Sequence, residues 1–173
     1  MHINWYPPKW NIKIAIGYIV SLVLGVFLHF CFQLWPTILT EFISPVNESI
    51  WEHTKIIFWP LLLLLPPVYG RKQQGACFLG VLASSFSMLF LGWLYHVVLG
   101  GHLMAVDLLI FVFVVALGWT IPTMLELPEN ISAVLNVLIV FFVALLLAFT
   151  IMPPDGPIFQ DARLVDAWVR MTY

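Results

Sequence analysis

Apolar stretches of about 20 residues recur from one end of this 173-residue chain to the other. A helix needs roughly 20 apolar residues to cross a hydrocarbon core of about 30 Å. No water-soluble fold can bury so many such segments and still show water a polar surface. The composition agrees: 62% of the residues are hydrophobic and 9% charged, against roughly 25% charged in an ordinary soluble domain. A lone secretory signal peptide does not account for the pattern, because the runs continue to the last third of the chain. A net charge of −2 offers nothing to nucleic acid. The lipid bilayer is the partner the composition implies.

Five stretches are long enough to span, at about 12–35, 48–69, 74–96, 102–124 and 130–151. Their links are short and carry break signals at Trp35-Pro36, at 70–74, at Gly100-Gly101 and at Pro128-Glu129-Asn130. Short links make consecutive helices antiparallel neighbours. The expected fold is therefore all-α, one polytopic transmembrane bundle of five helices over 1–173, with 152–173 as an extracytoplasmic tail. Lys9 and Lys13 before the first span, and Arg71 and Lys72 between the second and third, fall on one side. The positive-inside rule makes that side cytoplasmic, with the N-terminus in and the C-terminus out. Arg163 and Arg170 in the tail run against this bias. Trp5, Tyr6, Trp10, Trp35, Trp93, Tyr95 and Tyr173 stand where interfacial aromatics belong. Cys31 and Cys77 fall near opposite faces, so no disulfide between them is expected.

On this map one face collects the polar chemistry. His29, Glu41, Asn47, Glu48, Glu52, His53, His96, His102, Asp107, Asp155, Asp161 and Asp166 all fall at or near the outer side, seven of nine acids and four of five histidines. The segment 44–60 is the most informative. Ser44-Pro45 reads as a helix cap and first turn. On a helix starting there, Glu48, Glu52 and Lys55 share one stripe, with Ser49 and His53 beside it. The uninterrupted apolar run at 56–68 has only 13 residues, about 20 Å of helix and too short to cross. Glu52, His53 and Lys55 are therefore expected below the membrane surface, where ionisable groups face a bundle interior, a partner or a water cavity. An ion-pair set at a helix start explains the stripe equally well. Asp107 lies in an apolar context, Met-Ala-Val-Asp-Leu-Leu-Ile, and needs a partner; Lys55, His53 or His96 can supply one. A histidine at a helix end, such as His96 or His102, is ordinarily a solvated cap, and His29 reads as a buried histidine holding one hydrogen bond. The tail, broken by three prolines, can fold back as a cap anchored by Ile158 and Phe159, or lie exposed.

Two segments carry a resemblance. At Pro45-Val-Asn-Glu-Ser-Ile-Trp-Glu-His53 and at Phe149-Thr-Ile-Met-Pro-Pro-Asp-Gly-Pro-Ile-Phe-Gln-Asp161, the chain resembles a family of small bacterial five-span membrane proteins of unknown function. The first motif matches closely, the second at its prolines, phenylalanine and aspartate. A Pro-x-Thr-Gly-like continuation of the family is missing after Asp161. The resemblance implies a bacterial cytoplasmic membrane setting and carries no activity.

Three functions fit these residues. The first is a site for a small ligand, ion or proton, bound or transported, with Asn47, His53, Lys55 and Asp107 as binding residues beside Glu48 and Glu52. Five spans without an inverted repeat disfavour a stand-alone alternating-access carrier. The second is a membrane-embedded metal-dependent hydrolase acting on a lipid-like substrate. Zinc or another divalent metal would be held by His53, His96, His102 and Asp107, with Glu48 or Glu52 as catalytic base. The third is a structural subunit whose polar face docks a membrane partner or a second copy of the chain.

Overall fold

The computed structural model describes residues 3–161. Arg163, Asp166, Arg170 and Tyr173 lie outside them. The described chain is helical almost throughout. It runs α1 (Ile12–Leu34), α2 (Ile38–Ile43), α3 (Ile50–His53), α4 (Lys55–Tyr69), α5 (Gln74–Gly92), α6 (Met104–Met124) and α7 (Glu129–Ile151). A six-residue π-helical segment, Trp93–Val98, continues α5. Four stretches are long and apolar enough to cross a membrane: Ile12–Leu34, Arg71–Val98, Met104–Met124 and Glu129–Ile151. The exterior is apolar to match. Ile16, Ile19, Val23 and Phe27 of α1, Leu109 and Phe113 of α6, and Val137 and Phe141 of α7 all face outward, a surface that suits lipid and not water.

The helix α1 starts at Asn11, whose Oδ1 accepts from the backbone N–H groups of Lys13 and Ile14 at 3.0 and 3.1 Å. This satisfies two of the donors that every helix start leaves over. Replacing Asn11 by alanine should lower stability by about 1 kcal/mol, read as a lower melting temperature in detergent; an unchanged melt would count against the cap.

The helix at the centre of the bundle is α4, which packs against α1, α5 and α6. Its Lys55, Ile57, Phe58, Leu61 and Leu65 are fully buried. Protein on several sides explains how a 15-residue helix carries Pro60, Pro66 and Pro67 and begins with a lysine: groups that hydrocarbon would leave unsatisfied find partners inside the bundle.

Two prolines set close helix contacts by the same device. A proline has no N–H, so the carbonyl four residues before it loses its helical donor. Pro60 frees the carbonyl of Ile56, which lies against Gly25 of α1; a Cβ there would sit 2.7 Å from that oxygen. Pro122 frees the carbonyl of Gly118, which lies against Gly80 of α5; a Cβ there would sit 2.6 Å away. Small residues at such crossings let the backbones approach, as in other membrane bundles. Farther along the same buried face of α1, the Trp119 ring fills the groove over Gly17, and its Nε1–H donates to Ser21 Oγ at 3.0 Å.

At one end of the bundle a short strand β1 (Asn4–Trp5) pairs antiparallel with β2 (Leu125–Glu126). This ties the N-terminal segment to the α6–α7 link. The Tyr6 hydroxyl donates to Glu126 Oε2 at 3.2 Å, and that hydrogen bond to a carboxylate raises the phenol above its ordinary pKa. Cys31 and Cys77 are both buried free thiols. The opposite end gathers the C-terminal part of α1, α2, α3, the π-helical segment, the start of α6 and the end of α7.

The helix start expected at Ser44-Pro45 is not there. Ser44 closes α2 instead, and α3 begins at Ile50 with Ser49 as its cap. The reason is competition for hydrogen-bonding groups. Ser44 Oγ accepts from Phe32 N–H at 3.0 Å and donates to the Leu28 carbonyl, both on α1. The Val46 N–H goes to Glu52 Oε2 at 2.9 Å, and the Ser49 N–H goes to Asn47 Oδ1 at 3.0 Å. A segment whose polar groups are taken by such partners does not coil into a helix.

Candidate polar site at one end of the bundle

Because 45–49 is not helical, Glu48, Glu52 and Lys55 do not share a stripe. Glu52 and Lys55 turn into the bundle; Glu48 turns to His53.

Lys55 is fully buried and Glu52 is 3% exposed, and their ion pair is 2.7 Å long. An ammonium has three donors, and each one here is placed: on Glu52 Oε2, on the Glu41 carbonyl at 2.8 Å and on the Ser44 carbonyl at 3.4 Å. Glu52 also accepts from Val46 N–H, and from Thr150 Oγ1 of α7 at 3.4 Å. One pair thus ties α2, the 44–49 segment, α4 and α7 together.

His53 belongs to another group. Its Nδ1 is 2.8 Å from the Ser49 carbonyl, and its Nε2 is 3.2 Å from Glu48 Oε2. A carbonyl only accepts, so Nδ1 carries a proton and Nε2 faces the carboxylate. Both ring nitrogens therefore look at oxygen. A second proton satisfies Nε2, as does a cation between Nε2 and the carboxylate. The His29 ring, from α1, lies with its centroid 5.1 Å from that of His53. The ligand atoms of His29, Glu48 and His53 all lie within 4.8 Å of one another. Among the described residues this is the group of three that comes within reach of one metal ion. All three are half-buried.

His96 repeats the arrangement nearby. Its Nδ1 is 2.9 Å from the Gly101 carbonyl and its Nε2 is 2.8 Å from Asp107 Oδ1. The His102 ring is 6.4 Å from that of His96. The wide turns of the π-helical segment present His96 to this link, a common use of such segments. The pair is more open than the first, at 28% and 39% exposure.

The expected residues thus sort into three sets. His53 joins Glu48, and also His29, which the sequence presented as a buried histidine with no ligand role. His96 joins Asp107, with His102 beside them. Glu52 joins Lys55 in the interior. The four residues expected to share a metal, His53, His96, His102 and Asp107, are divided between the first two sets. Asn47 shapes the loop by accepting from Ser49 N–H. Nothing in the sequence of α1 marked His29 beyond its nearness to the outer end; only packing brings it to His53.

The tail folds back over this end. The Trp51 N–H donates to the Ile158 carbonyl at 2.9 Å. The Trp51 ring centroid lies 5.2 Å from that of Phe149 and 5.3 Å from that of Phe159. The two sequence motifs meet here, one from each half of the chain.

Residues 2–165 match the model of a family described only as being of unknown function. No curated protein and no solved structure matches the chain.

Proposed function

The chain belongs to the family DUF6512, whose function is unknown, and we propose from its geometry that it is a membrane protein that binds a divalent metal ion through His29, Glu48 and His53. The observation that carries this reading is the meeting of three ligand atoms from α1, the 44–49 segment and α3 within 4.8 Å. Two nitrogens and a carboxylate oxygen form a ligand set known for catalytic zinc, with further positions left for water or a ligand. Two ligands on a tetrahedral zinc stand about 3.3 Å apart at ordinary bond lengths; His53 Nε2 and Glu48 Oε2 are 3.2 Å apart. The Ser49 carbonyl supplies the outer-shell support that such a histidine needs. By accepting from Nδ1–H it leaves Nε2 as the ligand atom and fixes the ring.

In this reading α3 and α4 together form a fifth span. They cover residues 50–69, about 30 Å of helix. The protein lies in a bacterial cytoplasmic membrane with its N-terminus inside and the metal site on the outer face. The basic residues Lys9, Lys13, Arg71 and Lys72 support that orientation.

The test is metal binding by the full chain in detergent. Stripped protein should take up one equivalent of zinc, measured by calorimetry and by elemental analysis after gel filtration. His29→Ala and His53→Ala should each weaken binding at least about 100-fold, more than loss of an outer-shell partner costs. His96→Ala should leave it unchanged. Affinity should fall below about pH 6, where histidine ligands take up protons. Protein that binds no zinc, or His53→Ala protein that binds it as well as the parent, would overturn the reading.

A further inference from the structure

The two motifs enclose a small niche that none of the proposed metal ligands lines. Val46, Asn47, Ser49, Trp51 and Glu52 line it from the first motif, and Phe149, Thr150, Pro153 and Phe159 from the second. About 10 Å³ is open to the centre of a water-sized group, room for one such group.

Two polar atoms among these walls lack a full partner. The Trp51 side chain is 5% exposed, and its Nε1–H is buried with no hydrogen-bond acceptor. Glu52 Oε1 has only Thr150 Oγ1, at 3.4 Å. That hydroxyl has a single proton, and it lies 2.7 Å from the Leu146 carbonyl. The two acceptors share that proton, so Glu52 Oε1 has only one long, weak hydrogen bond. The residues that line the niche therefore include one buried donor without an acceptor, Trp51 Nε1–H, and one weakly served acceptor, Glu52 Oε1. Buried groups of this kind are nearly always matched in folded proteins.

We propose that this niche is a binding site for one neutral hydroxyl group, which accepts from Trp51 Nε1–H and donates to Glu52 Oε1. An anion is disfavoured by the Glu52 carboxylate. An ammonium cannot accept from the indole. A carbonyl cannot donate to the carboxylate. A hydroxyl does both, and it is the size of the niche. Water and the terminal hydroxyl of a lipid headgroup share this chemistry, and the niche lies at the bundle end where headgroups would lie.

The test is a high-resolution structure of the full chain crystallised twice, from detergent without added alcohols and from a bilayer containing phosphatidylglycerol. The expected result is an oxygen within 3.2 Å of both Trp51 Nε1 and Glu52 Oε1. An isolated peak in both crystals identifies water; density running on into a headgroup in the second identifies the lipid hydroxyl. Trp51→Phe keeps a ring in the wall but removes the donor, and the peak should disappear. A dry niche, a protein atom paired with Trp51 Nε1, or a peak that persists in Trp51→Phe would each overturn the proposal. None of these outcomes depends on whether His29, Glu48 and His53 hold a metal.

Discussion

Lys55→Met should destabilise the folded bundle by about 3–5 kcal/mol, the range found when one partner of a buried ion pair is removed. The Lys55–Glu52 pair is enclosed by protein, so the change leaves a carboxylate in the interior with its counter-ion gone. It also takes donors from the carbonyls of Glu41 and Ser44. The double variant Lys55→Met, Glu52→Gln removes the stranded charge and should recover about 2 kcal/mol of that loss. It should not recover all of it, because the two carbonyls still lack their donor. Thermal or denaturant unfolding in a fixed detergent checks both. A double variant no more stable than Lys55→Met alone would show that the stranded charge is not the main cost.

The second large effect should come from Gly80→Leu. A side chain there meets backbone, the carbonyl oxygen of Gly118, and backbone cannot rotate away as a side chain can. The α5 and α6 helices would have to separate, at a cost at or above the upper end of the roughly 1–3 kcal/mol usual for overpacking. Gly70→Ala makes a useful contrast. Gly70 has open space around it but a φ of +81°, so its cost is one of backbone conformation and should stay near 1 kcal/mol. Equal losses in the two variants would mean that the Gly80 contact does not hold the helices together. The same measurement on Gly25→Leu tests the parallel contact with the carbonyl that Pro60 frees.

Local preference alone misplaces the helix start in the 44–60 segment. Ser-Pro followed by acids is a sound helix-start signal when the segment folds on local preference. Here α1 supplies rival partners for Ser44, and Glu52 folds back to take the Val46 N–H. The helix therefore begins five residues later than Pro45, at Ile50. That delay moves Glu48 off the stripe of Glu52 and Lys55 and gives it to His53. The i, i+3 relation of Glu52 and Lys55 survives because both remain in the α3–α4 segment. The Asp107–His96 partnership was among the alternatives open to the sequence, since the short Gly100-Gly101 link keeps the two residues near. The place of His29 beside His53 was not legible. His29 lies in an unbroken apolar helix, and its partners come from a segment some twenty residues away.

Sequence alone was enough to give long apolar helices with short links, and to bring most of the acids and histidines to one end. Both properties are sums along the chain: hydrophobic length is counted residue by residue, and short links force alternate helix ends to the same side. The pairing of the polar side chains comes from three-dimensional packing. A hydrogen bond or ion pair is settled within about 3 Å, and small differences in where a helix starts or how closely two backbones approach exceed that distance. So the tertiary structure put Lys55 with Glu52 in the interior, Glu48 with His53 and His29 at the bundle's end, and the two motifs around one niche.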